Sequence, residues 1–72
     1  MNVPLPIVKI VIFECEKEFP VVKTTEKFKF HKKTNEFLIN EEIEECLKIC
    51  KTLAEAIEFA LTFKYSIFID RD

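Results

Sequence analysis

The sequence predicts a small α+β domain: a four-stranded mixed, largely antiparallel sheet in the chain order β-β-β-α-β, with one long helix, continuous or kinked, on one face. Three observations predict it. Residues 5–13 (LPIVKIVIF) are β-branched and apolar on both alternating sides, the pattern of a central strand covered on two faces. Residues 21–31 alternate strictly, with Lys23, Thr25, Lys27, Lys29 and His31 on one side and Thr24, Glu26, Phe28 and Phe30 on the other, as a strand with two unlike faces must. From Asn40 onward the spacing changes, because Ile43, Cys46, Leu47, Cys50, Leu53, Ala54, Ile57 and Leu61 recur at three and four residues, the stripe of an amphipathic helix.

Each element has a local reason to start and stop. Pro20 stands before the second strand, where no ladder N–H is required of it. Lys32-Lys-Thr-Asn35 reads as a turn, with Asn35 taking the left-handed conformation that a chain without glycine must give to another residue. Phe37-Leu-Ile39 returns as a short third strand. Asn40 is the expected helix N-cap, with Glu41 and Glu42 at the positive end of the helix dipole. Thr52-Leu-Ala-Glu55 matches a capping box, so a helix that breaks and restarts at Thr52 is the alternative. Tyr65 to Asp70 (YSIFID) closes the sheet, beside the first strand, in the order 4-1-2-3.

Composition excludes several kinds of function. With 72 residues the chain forms one domain, and a chain this short removes only about 60% of its unfolded surface from water, which favours stabilisation by association. The absence of glycine removes the phosphate-cradling loop, the dinucleotide fingerprint and the nucleophile elbow. One histidine, His31, and one serine, Ser66, leave no material for a catalytic triad. No catalysis is expected, and no cofactor. Met1-Asn-Val-Pro-Leu-Pro has neither a basic start nor an apolar stretch, so no leader is expected, and no run is long enough to span a membrane. Three cysteines, Cys15, Cys46 and Cys50, fit free thiols in a reducing, cytoplasmic setting. With His31 they reach the number of ligands in a zinc site, but they lack knuckle spacing, and Cys46 and Cys50 fall in the apolar stripe; no metal is expected.

Charge and surplus apolar surface supply the functional expectations. Residues 1–33 carry net +3 and residues 34–72 net −5. Glu36, Glu41, Glu42, Glu44 and Glu45 place five carboxylates within ten residues, more than helix capping requires, since like charges at i,i+4 repel. On a continuous helix Phe59 and Phe63 fall outside the buried stripe, and Ile7, Val11 and Phe13 face away from the helix. The chain is therefore expected to be a non-catalytic protein-interaction or regulatory protein that associates with itself or with a basic protein partner. Its working residues would be Glu41, Glu42, Glu44 and Glu45 at the helix start and Phe59 and Phe63 on later turns. An inhibitor whose carboxylates imitate a phosphate backbone, as in small virus-encoded proteins, is the sharpest form of this expectation. The alternative is nucleic-acid binding through Lys23, Lys27, Lys29 and Lys33. It is disfavoured because Phe28 and Phe30 lie on the other side from the lysines, so bases could not stack and phosphates bind on one face.

Overall fold

The computed structural model describes residues 5–71; residues 1–4, part of the stretch in which no leader is expected, and Asp72 lie outside the described residues. Strands β1 (Ile7–Glu14), β2 (Phe19–His31) and β3 (Glu36–Cys50) follow one another, then helix α1 (Leu53–Leu61) and strand β4 (Ser66–Arg71). They form one mixed sheet in the order β3-β2-β1-β4, with β1/β2 and β2/β3 antiparallel and β1/β4 parallel. The α+β class, the strand order and the place of the last strand are as the sequence predicts. No helix of the described residues is long and apolar enough to cross a membrane.

The long helix is corrected. Residues 41–50 belong to β3, and the helix has nine residues, beginning at the capping box. Glu, Leu and Lys favour a helix when nothing else decides, but here β2 decides. Its 13 residues reach far beyond β1, which pairs with it only from Val21 to Glu26, and a β3 ending at Ile39 would leave the outer edge of β2 unpaired from Phe19 to Lys27. The helix-like spacing has its own cause. The register with β2 slips at Val21/Val22 and at Lys27/Phe28, leaving Leu47 and Asn40 as extra residues of β3. A bulge inserts one residue and resets the alternation, so Ile43, Leu47 and Cys50 reach the helix side at intervals of four and three.

Thr52 and Glu55 then fix the start of α1. The Thr52 hydroxyl accepts from the Glu55 N–H at 3.1 Å, and Glu55 Oε2 accepts from the Lys51 N–H at 3.4 Å. The other end closes without glycine, by the Thr62 hydroxyl donating to the Phe59 carbonyl at 2.7 Å. Ala56 and Ala60, four apart and fully buried, let the helix backbone approach Ile10, Ile12, Val21 and Cys50, which form the rest of the core. Phe19, Leu47, Leu53, Ile57, Phe59, Phe63 and Ile67 pack around this centre. Phe59 and Phe63, expected to be uncovered, are half-buried and meet edge to face at 5.3 Å. The restart at Thr52 turns them onto the sheet.

Beyond Glu26 the β2/β3 pair continues alone as a two-stranded arm, and the molecule measures 46 × 24 × 15 Å. The arm turns at Lys32 to Asn35, where Asn35 has φ 58° and its N–H donates to the His31 carbonyl at 2.9 Å. Two outcomes follow. Thr52→Ala is expected to lower stability by about 1 kcal/mol in urea unfolding, the usual value of an N-cap; an unchanged midpoint would show that the cap is not holding α1. Asn35→Gly should be neutral or slightly stabilising, whereas Asn35→Val should cost roughly 1–2 kcal/mol, because a β-branched residue is penalised at positive φ.

Candidate functional site

Registered partners share a face of the sheet, so the pairings assign every strand residue to a side. The helix side takes Val8, Ile10 and Ile12 of β1 and the odd-numbered residues of β2 from Phe19 to His31. The opposite, open side takes Ile7, Lys9, Val11 and Phe13, then Val22, Thr24, Glu26, Phe28 and Phe30. From β3 it receives Phe37, Ile39, Glu42, Glu44, Cys46 and Ile49, and from β4 Ser66, Phe68 and Asp70. No helix covers this side among the described residues.

The open side is nonetheless rich in large apolar groups. Five of the eight phenylalanines, Phe13, Phe28, Phe30, Phe37 and Phe68, point to it, whereas Phe19, Phe59 and Phe63 serve the helix side. Ile7, Ile39, Ile49 and Phe68 are 51, 54, 56 and 53% exposed. Val22 and Thr24, in the middle, are buried by their neighbours alone. Phe30 and Phe37 pack as a cross-strand pair with ring centres 5.2 Å apart, which steadies the arm. A small monomer seldom leaves such a surface to water without a use for it.

The charges on this side are unequal. Lys9 is the one cation among the strand residues assigned to it; it lies 3.3 Å from Glu26 and 5.6 Å from the centre of the Phe68 ring. Glu42, Glu44 and Asp70 remain, and Glu42 stands directly opposite Glu26. The open face is thus apolar with an acidic border.

The structure separates the residues expected to act together. Glu42 and Glu44 belong to the open face, while Glu41 and Glu45 lie on the helix side, opposite Lys27 and Lys23, and Glu36 stands opposite His31. All five sit on an edge strand and not at a helix start, so they also guard that edge against strand addition. Phe59 and Phe63 are packing residues of the helix, with Lys48 reaching over the Phe59 ring at 5.3 Å and pairing with Glu55 at 3.5 Å.

The lysine stripe survives as an alternation, yet Lys23 and Lys27 face their own counter-charges. Lys23 lies 5.7 Å from the Tyr65 ring centre and opposite Glu45, Lys27 is opposite Glu41, Lys29 is on the arm opposite Leu38, and Lys33 is in the turn. A hollow at the Asn40 bulge, lined by Lys29, His31, Leu38, Ile39 and Asn40, holds no carboxylate.

The thiols are scattered: Cys50 is in the core, Cys46 is exposed on the open side, against the expectation that it packs in the stripe, and Cys15 is exposed after β1. Among the described residues no three His, Cys, Asp or Glu side chains gather as metal ligands. Compared with known proteins, the chain matches no family model, no curated protein and no solved structure.

Phe37, Ile39 and Ile49 escape sequence reasoning as site residues, because a helix assigned to residues 41–50 hides their common face with Phe28 and Val22. The cross-strand charges make a checkable statement. Lys27→Glu should destabilise the fold by roughly 0.2–1 kcal/mol by setting two carboxylates opposite each other, and adding Glu41→Lys should restore it, with both effects fading in high salt. Additive losses in the double variant would contradict the register.

Proposed function

We propose that this protein is a non-catalytic interaction module of a reducing, cytoplasmic compartment that binds a basic, amphipathic protein segment on the open face of its sheet. The observation that carries the proposal is the joint presence, on one uncovered side, of exposed Ile7, Ile39, Ile49 and Phe68 with the carboxylates Glu42, Glu44 and Asp70. Apolar side chains supply the area whose removal from water drives association. Carboxylates at the border select a cationic partner and speed its encounter. A second copy laid face to face is a poor occupant, since it would bring the same carboxylates together. Nucleic acid is a poorer one, because the strand lysines of the stripe stand on the other side, where Lys23 and Lys27 face glutamates. The sharper reading, an inhibitor that imitates a phosphate backbone, rests here on Glu42 and Glu44, since Glu41 and Glu45 have lysines across from them.

The test is a fluorescence-anisotropy titration with two designed helical peptides of equal hydrophobicity, one with lysines and one with glutamates on the polar side. The basic peptide should bind, and Ile49→Glu or Glu42→Lys plus Glu44→Lys should each weaken it roughly tenfold or more, the effect of about 1.4 kcal/mol. Equal binding of both peptides, or variants without effect, would overturn the proposal. Affinity for single-stranded RNA that falls steeply with salt and vanishes with Lys23, Lys27 and Lys29 changed to alanine would favour the lysine stripe instead.

A further inference from the structure

The two edges of the sheet are built differently. β3 is long, but two bulges break its line and Glu36, Glu41, Glu42, Glu44 and Glu45 charge it, the devices by which proteins keep other strands away. β4 has none of these over its apolar centre. It runs in unbroken register beside β1 from Lys9↔Ser66 to Glu14↔Arg71, and Ile67, Phe68 and Ile69 are apolar toward both faces. That pattern belongs to an interior strand. Yet no strand of the described residues pairs with the outer side of β4, and Phe68 and Ile69 are exposed. The helix packs on β1, β2 and β3, leaving β4 as the strand with least cover.

From this asymmetry we propose that β4 pairs antiparallel with β4 of a second copy, about a two-fold axis perpendicular to the sheet at Phe68, giving one continuous eight-stranded sheet. The occupant follows from the sequence of the strand. Such an axis keeps each residue on its own face, so only residues of like face can stand opposite each other. Centred on Phe68, the register sets Phe68 against Phe68, Ile67 against Ile69 twice, and Ser66 against Asp70 twice. Every apolar group meets an apolar one, and the serine hydroxyl can donate to the carboxylate. Centred one step further on, at Ile69, the same strand would oppose Phe68 to Asp70 and Ile67 to Arg71. An isologous contact also closes on itself, so it yields a dimer and not a fibre. Both helices lie on the same side of the joined sheet, and both open faces stay free on the other. The seam shares Phe68 and Asp70 with the partner surface proposed above and leaves Ile7, Ile39, Ile49, Glu42 and Glu44 clear of it.

Sedimentation velocity on the whole chain, from micromolar to millimolar concentration, tests the pairing. The expected result is a concentration-dependent doubling of mass that is lost in Phe68→Lys, with an unchanged circular dichroism spectrum. Ile43→Lys on the opposite edge serves as the control and should leave the dimer intact. The register is tested with both exposed cysteines replaced by serine: Phe68→Cys should form an intermolecular disulfide on mild oxidation, because residues facing each other across an antiparallel pair lie about 4.5–5.5 Å apart between Cα atoms. Ser66→Cys should not. A monomer at every concentration, a dimer that persists in Phe68→Lys, or crosslinking through position 66 in place of 68 would overturn the inference.

Discussion

One short helix has to serve a sheet with two faces, and the rest of the molecule follows from that shortage. The nine residues of α1 can bury one side of the sheet near the ends of β2 and β3 that adjoin α1, and they do so by bringing two alanines down onto Ile10, Ile12, Val21 and Cys50. Among the described residues nothing of comparable bulk remains for the other side. Its apolar residues shelter one another only at the centre, around Val22 and Thr24, while the isoleucines at its margin stand in water. A domain of this size has little stability to spare, so apolar surface left in solvent is a cost that a binding partner would remove.

The same shortage shapes the charges. In sequence the cations gather early and the carboxylates late, which suggests two separate surfaces of opposite sign. Folding lays β2 against β3, and much of this contrast is cancelled across the pair: Lys23 meets Glu45 and Lys27 meets Glu41. What survives is smaller and more specific. On the helix side cations and carboxylates alternate; on the open side Lys9 is already engaged by Glu26, and carboxylates are left over. Spacing along a strand also eases the acidic run. Glutamates that would crowd one helix face at five to six Å point to alternate sides of β3, with like sides about 6.8 Å apart.

Much of the fold was legible in the residues. The two-sided apolar run of β1, the alternation of β2, the left-handed Asn35, the capping box at Thr52 and the closing strand all announce themselves through local chemistry, and the order 4-1-2-3 follows from placing the most apolar strands together. Residues 41–50 were not legible. Their Glu, Leu and Lys content favours a helix, two bulges disguise the strand period, and the deciding influence is the unpaired edge of β2, a tertiary effect that outweighs local propensity. The site inherits this division. Ile7, Val11 and Phe13 facing away from the helix, and Phe28 and Phe30 facing away from the lysines, can be read from alternation alone. Their union with Phe37, Ile39 and Ile49 into one surface needs the register of β3. Phe59 and Phe63 drew notice for the opposite reason: a helix extended back to Asn40 has a different stripe from one that starts at Thr52.

Whether the second face of the sheet lies open in the free protein can be measured directly by methyl-resolved relaxation with a soluble paramagnetic cosolute. The methyl groups of Ile7, Ile39 and Ile49 should relax strongly, while those of Ile10, Ile12 and Val21 remain protected. Equal protection of both sets, in a sample that light scattering shows to be monomeric, would mean that the face is covered from within and would contradict the account.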